Sequence, residues 1–357
     1  MSNMAPIEGR SVWLGSQIDD RKKALYVLSA AEIDEIDAAL HHLRSSGDVD
    51  FPAITPASFP LPRFGRSLAA LSDELRDGQG FFLLRGLPCD RYAIDDIARI
   101  YVGLMSHLGQ LIPQSYRGEL LGHVMDVSDI EAQARGYHAG GAQGMHTDNC
   151  DVVSLLCVRA AKAGGTSRIV SAGAVHNRLL EQHPDLLGLL YRGFVFRRMD
   201  LDAQFGSGIS SKKIAIFSRE SGQLTCAMNG SYIRRAVAAG EAEITSEQIT
   251  ALNEFKRIAS SPEYYLDMNI GKGDIQFLNN RVILHGRTNY EDWPDFERRR
   301  HMMRIWLQVP AWPSIADNQA MHTSADHPGW LRRREPLMEM PSRHIAEMTR
   351  RKAECES

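Results

Sequence analysis

The sequence predicts a mainly β protein with flanking helices, built on a jelly-roll core. Three observations predict it. About eight to ten short apolar or alternating runs, set off by Gly, Pro, Asn and Asp, fall between residues 80 and 310. Helical spacing is concentrated before residue 80 and in later inserted blocks, so helices and strands do not alternate as a doubly wound parallel sheet requires. The 357 residues, 43% hydrophobic and 24% charged, suffice for one large core. The expected organisation is a single unit over 1–357, with an N-terminal helical cap (1–79), a core with helical insertions (80–310) and a C-terminal tail (311–357).

In the cap, Ser29-Ala30-Ala31-Glu32 has the pattern of a capping box, and Ile33, Ile36, Leu40 and Leu43 follow at helical spacing to about Ser45. The proline-rich stretch 51–64 reads as a connector, and 65–76 as a second helix. Gly80–Gly86 is an apolar run between glycines and reads as a buried strand. Residues 95–108 place Ile97, Ile100, Tyr101, Leu104 and Leu108 on one helical face. Strands are expected at 121–127, 152–159, 166–171, 193–198, 264–269, 274–278, 282–286 and 301–309, with a hairpin joining 214–218 to 223–227. Helices are expected at 172–182 and 185–191, split by Pro184, and at 246–259 with Ser246 as N-cap. The basic tail, with Arg332-Arg333-Arg334 and Arg350-Arg351-Lys352, reads as a solvated helical face or a frayed end.

Charge narrows the function classes. Lys and Arg total 41 against 44 Asp and Glu, a net charge of -3, which disfavours a nucleic-acid binder. The five cysteines are scattered without a C-x-x-C pair, so neither a zinc site nor a disulfide framework is indicated, and a reducing, cytoplasmic setting is expected. The first ten residues lack the apolar segment of a secretory signal, and no run of 18 apolar residues suggests a membrane span.

Chemistry is concentrated in separated motifs. His146-Thr147-Asp148 is an H-x-D triplet. On an extended strand its imidazole and carboxylate point the same way, a donor pair suited to iron if a second histidine joins them. His285 ends the apolar run 282–285 and can face a barrel mouth. Arg300, Met302, Arg304 and Trp306 share one strand face by alternation. Arginines there call for anions, so Arg300 and Arg304 are candidate carboxylate receptors. The turn Gly164-Gly165 delivers two hydroxyls, Thr166 and Ser167, to the start of a strand.

Together, H-x-D at 146–148, G-G-x-[ST] at 164–167, N-N-R-x-x-x-H-G-R at 279–287 and R-R-H-x-x-R at 299–304 resemble the Fe(II)- and 2-oxoglutarate-dependent oxygenases that include taurine dioxygenase, 2,4-dichlorophenoxyacetate dioxygenase and clavaminate synthase. The resemblance covers about residues 80–310. It implies a double-stranded β-helix, iron held by His146, Asp148 and His285, and 2-oxoglutarate and O2 as cosubstrates. It also implies that Arg300 receives the far carboxylate of 2-oxoglutarate, assisted by Ser167 or its neighbour Thr166, and that Arg304 serves cosubstrate or substrate. The carboxylate of Asp148 disfavours halogenation. The expected reaction is hydroxylation, or another oxidation, of an unactivated C–H in a small molecule, acidic or a natural-product intermediate. The alternative is a non-catalytic metal- and 2-oxoglutarate-binding protein on the same barrel. No nucleic-acid or membrane partner is expected, and a homo-oligomer stays compatible with the sequence.

Overall fold

The protein is described from a computed structural model, which covers residues 4–18, 24–115, 117–131, 136–198, 208–220, 222–320 and 338–356. Its frame is two sheets. Their strands are β1 (Leu25–Val27), β2 (Phe81–Arg85), β3 (Gln110–Ile112), β4 (Leu121–Val124), β5 (Gln143–His146), β6 (Val152–Arg159), β7 (Ser167–Ser171), β8 (Tyr265–Met268), β9 (Ile275–Asn279), β10 (Ile283–Arg287) and β11 (His301–Gln308). The larger sheet has the order β1-β2-β9-β6-β11-β3, with β4 also paired to β11. The smaller sheet has the order β8-β7-β10-β5. All pairings are antiparallel except β1 with β2.

Helices cover the outer faces. They are α1 (Ala30–Ser45), α2 (Phe64–Asp77), α3 (Ile94–Ser106), α4 (Ala172–Gln182), α5 (Pro184–Arg192), α6 (Gly230–Ala238), α7 (Ser246–Ala259) and α8 (Pro341–Glu356). The capping box of Ser29 and Glu32 starts α1. One apolar core packs Ile36, Leu68, Ile100 and Tyr101 of α1–α3 against Leu84, Phe277, Leu156 and Ile305 of the larger sheet. A second packs Val175, Leu187, Phe255 and Ile258 of α4, α5 and α7 against Val170 and Leu284 of the smaller sheet. With apolar burial assigned to the outer faces, alternation turns the other side chains into the space between the sheets. There Val124, Cys157 and Met302 form only a small apolar cluster, and polar groups occupy the rest.

Several expectations change. Residues 193–198 make only isolated bridges, Phe194 to Ile214 and Arg197 to Ile209, not a strand. The hairpin is shorter than expected, pairing Phe217–Ser218 with Thr225–Cys226. The N-cap of α7 is Thr245, whose hydroxyl accepts from the Gln248 amide in a full capping box, so Ser246 is already helical. The short α6 was not anticipated: it begins on glycine, the poorest helix former after proline, and is set by the Asn229 side chain accepting from the Tyr232 amide. The tail is not frayed over 341–356. Helix α8 buries His344 and Met348 and ties the Ser342 hydroxyl to Asp95 on α3. Its outer charges pair locally, Arg350 with Glu347, while Arg332–Arg334 lie outside the described residues. No helix among the described residues is long and apolar enough to cross a membrane.

Candidate metal centre and cosubstrate pocket

His285 on β10 pairs directly with His146 on β5, so both rings project from the inner face of the smaller sheet, with centroids 4.3 Å apart. Gly286 permits this approach: a Cβ there would meet the Gln143 carbonyl oxygen at 2.6 Å. Strand β5 stops at His146, and Asp148 lies in the turn beyond it. The Asn280 side chain fixes that turn, accepting from the Asp148 amide at 2.8 Å and donating to the Cys150 carbonyl at 2.9 Å. Next to it, the Arg281 guanidinium donates to the buried Asp151 carboxylate at 2.6 and 2.9 Å. The N-N-R motif is thus the clamp that holds the H-x-D turn against β10.

Ligand atoms of His146, Asp148 and His285 all lie within 4.8 Å of one another, and this is the only such group among the described residues. The His146 Nδ1–H donates to the Gly144 carbonyl at 2.9 Å, which leaves Nε2 free to coordinate. That Nε2 lies 3.8 Å from Asp148 Oδ1, and His285 Nε2 lies 3.7 Å from Asp148 Oδ2. Burial, then the neighbouring His146, lowers the His285 imidazole to about 3, so it stays neutral and ligand-competent. Burial works against the charge of Asp148, but Arg304, His285 and His146 outweigh it and hold the carboxyl below its ordinary value. Its Oδ2 accepts from Trp306 Nε1 at 2.8 Å and from Arg304 Nη1 at 3.3 Å. Gln114 holds Arg304 in turn, accepting from Nε at 2.8 Å. The donor set of two imidazoles and one carboxylate suits Fe(II) with open positions.

The remaining expected residues lie at the other end of the space between the sheets. Ser167 pairs with Arg287 across β7 and β10, on the face that carries His285, and its hydroxyl donates to Gln276 Oε1 at 3.0 Å. The backbone of Thr166 exchanges bonds with Thr288, its amide donating to the Thr288 hydroxyl and its carbonyl accepting from the Thr288 amide. Gly164 and Gly165 make the preceding turn with φ of 75° and 73°, which disfavours other residues, and a Cβ on Gly165 would press on Arg300 Nε at 3.3 Å. Arg300 lies just before β11, not on it. Its guanidinium is buried 5.2 Å from the Tyr290 ring centre, and Nη1 has no hydrogen-bond partner among the described residues. Burial lowers its ordinary basicity. The triad, Arg300, Arg304 and Ser167 therefore all reach the space between the sheets. Sequence reasoning missed Trp306, Gln114 and Asn280 as supports of the site, and it missed Arg287. Alternation from His285 would have found the last, because residues two apart share a face.

The sequence model of one family, described as taurine catabolism dioxygenase TauD, TfdA family, matches residues 47–306. The chain belongs to that family. It is therefore an Fe(II)- and 2-oxoglutarate-dependent dioxygenase. The FR-33289 synthase of Streptomyces rubellomurinus is 31% identical over 319 residues, 85% of this chain and 91% of that one. The taurine hydroxylase-like protein SAT17 of Stachybotrys chartarum is 30% identical over 312 residues, 82% of this chain and 77% of that one. An asparagine oxygenase solved with Fe(II), 2S,3S-3-hydroxyasparagine and succinate shares the fold with a TM-score of 0.64 at 17% identity, over 80% of this chain and 94% of that one.

Proposed function

We propose that this dioxygenase hydroxylates an unactivated C–H bond of a small organic anion, with iron held by His146, Asp148 and His285. The carrying observation is a cavity of about 930 Å³ whose wall includes His146 and Asp148 of the triad. Basic Arg234, Arg235 and Lys256 line it from α6 and α7, and Asp148 is the only acid in its wall among the described residues. In a chain of slightly acidic net charge, such a wall concentrates anions. Its apolar members, among them Met145, Ile233 and Leu252, suit a hydrocarbon portion of the same molecule.

Arg300 supplies the receptor for the far carboxylate of 2-oxoglutarate, a buried guanidinium with a free donor, and Ser167 joins it by turning its hydroxyl from Gln276. Arg304 is assigned to the metal side, because its Nε and Nη1 are engaged by Gln114 and Asp148. Bound Fe(II) with 2-oxoglutarate and O2 supplies the oxidising power, with 2-oxoglutarate leaving as succinate and carbon dioxide. The residues of the chain then do the rest. Arg304 and Trp306 fix the carboxylate of Asp148, the Gly144 carbonyl fixes the tautomer of His146, and the cavity wall orients the substrate and limits water.

The test is succinate release, coupled to oxygen uptake, across matched pairs of small carboxylates, phosphates and sulfonates and their neutral esters or amides. Stimulation by an anion and not by its neutral partner, with KM raised in an Arg234→Gln, Arg235→Gln double variant, supports the assignment. Equal stimulation by neutral partners contradicts an anionic substrate.

A further inference from the structure

Arg287 has no part in the roles assigned so far, yet its guanidinium is buried beside that of Arg300. Strand alternation puts it on the face of His285, roughly 6.6 Å further along β10, and cross-strand pairing puts it next to Ser167. Both guanidinium groups lie against one ring: that of Arg287 is 4.3 Å and that of Arg300 5.2 Å from the centre of Tyr290. Nε and Nη1 of Arg287 and Nη1 of Arg300 are all buried without a hydrogen-bond partner among the described residues. Two like charges and three unsatisfied donors in one buried pocket are costly unless an anion enters between them.

The third nitrogen of Arg287 has a different task. Nη2 donates to the carbonyls of Ala139 and Gly141 at 2.8 and 2.6 Å. The Tyr290 amide adds a bond to the carbonyl of Gly140 at 3.1 Å. These bonds hold the segment 136–144, which lines the substrate cavity and sets the ring of Tyr137 4.6 Å from the Arg304 guanidinium. One side chain therefore spans the cosubstrate pocket and the wall over the substrate.

We infer that Arg287 is a second cationic contact for the far carboxylate of 2-oxoglutarate, and that through it the bound cosubstrate stiffens segment 136–144 over the substrate cavity. This rests on Arg300 being the cosubstrate receptor. The order of events follows from the contacts. A carboxylate seated between the two arginines locks the Arg287 side chain, and a locked side chain holds the carbonyls of Ala139 and Gly141. The substrate wall is then firm only when 2-oxoglutarate is present.

The test compares the wild-type protein, Arg287→Gln, Arg287→Lys and Arg300→Ala, loaded with Fe(II) without oxygen. Two quantities are read: the Kd for 2-oxoglutarate, and hydrogen exchange in 136–144 with and without it. The expected result is a tenfold or greater rise in Kd for Arg287→Gln and a partial recovery in Arg287→Lys. Protection of 136–144 by 2-oxoglutarate should be present in the wild type and lost in Arg287→Gln. For 2-oxopentanoate, which lacks the far carboxylate, wild type and Arg287→Gln should bind alike. Iron stoichiometry and thermal unfolding identify a variant that has failed to fold, in which case Arg287→Lys carries the comparison. A purely structural clamp would loosen 136–144 in both states and leave the Kd unchanged, which overturns the inference alone. If Arg300→Ala also binds 2-oxoglutarate normally, the receptor assignment falls, and the inference with it.

Discussion

Among the described residues histidines meet in two places, and only one of these groups has the make-up of a metal site. At the first, His146 and His285 face each other across β5 and β10 with the carboxylate of Asp148 between them. At the second, His123 on β4 and His301 on β11 meet under the C-terminal helix, with the ring of His344 stacked 4.3 Å from that of His123. Both groups are rich in imidazole. They differ in where the ring protons go. In the second group His301 Nε2–H donates to His123 Nδ1 at 2.9 Å, and His123 Nε2–H donates to the Glu339 carbonyl at 3.0 Å, so those ring atoms serve one another and the backbone. No carboxylate joins them to form a ligand group among the described residues. In the first group the proton of His146 is sent back to Gly144, leaving Nε2 directed at Asp148. Hydrogen-bonding direction and an anionic neighbour, not burial, mark a histidine as a candidate ligand.

The largest effect that separates the two groups comes from their own deletion. His146→Ala, Asp148→Ala or His285→Ala should each remove iron binding and 2-oxoglutarate turnover while leaving thermal unfolding near the wild type. His123→Gln should do the reverse, keeping iron and lowering stability by about 1–3 kcal/mol for the broken buried network. Iron analysis beside calorimetry reads both. A triad variant retaining stoichiometric iron would remove the distinction.

Arg300→Ala comes next. Losing a buried charge-assisted pair costs roughly 2–5 kcal/mol, so the KM for 2-oxoglutarate should rise about 30-fold or more, with the substrate KM changed far less. Arg300→Lys should recover part of this, since a point charge does not reproduce the fork. Steady-state kinetics with each substrate varied in turn separates the two constants.

A smaller effect tests how the metal carboxylate is held. Trp306→Phe removes the indole donor to Asp148 Oδ2 while retaining most of the packing. It should weaken iron by roughly tenfold, in the range found when a partner of a metal ligand is lost. Iron titration measures it, and unchanged affinity would show that Arg304 alone suffices.

A further effect is graded with pH. Burial lowers His123 to about 4 and holds His301 and His344 well below their ordinary value. Above pH 6.5 these rings are neutral in the folded and unfolded chain alike, and they cost nothing. As pH falls from 6.5 toward 4, the unfolded chain takes up protons that the folded chain refuses, so stability declines. The loss approaches about 1.4 kcal/mol per pH unit for each such ring. Urea midpoints at pH 7.5 and 5 should show it, and His123→Gln should show a shallower decline.

Much of this site was readable before the fold. His146 and His285 were legible as candidates because strand alternation constrains which way they face, whereas Asp148 and Arg300 lie off the strands and were legible only from motif order. The ligand clamp was not. Asn280 sits 132 positions from Asp148, and nothing local to it announces a bond to that backbone. Trp306 was placed on the correct strand face but without a partner, because alternation gives direction and not distance. Arg287 closes the N-N-R-x-x-x-H-G-R motif, and its parity with His285 is enough to place it inward. Helix α6 was missed because its glycine start hid a cap, and the docking of α8 was missed because a polar surface pattern concealed the buried His344 and Met348.

The central claim is that iron and 2-oxoglutarate meet at the triad. Anaerobic absorption of the Fe(II)-loaded protein tests it most directly, since a 2-oxo acid chelated to iron gives a weak visible charge-transfer band. Wild type and His123→Gln should develop that band as 2-oxoglutarate is added, and Asp148→Ala should not. A wild-type protein that shows no band at saturating Fe(II) and 2-oxoglutarate, or an Asp148→Ala variant that shows it undiminished, would contradict the assignment.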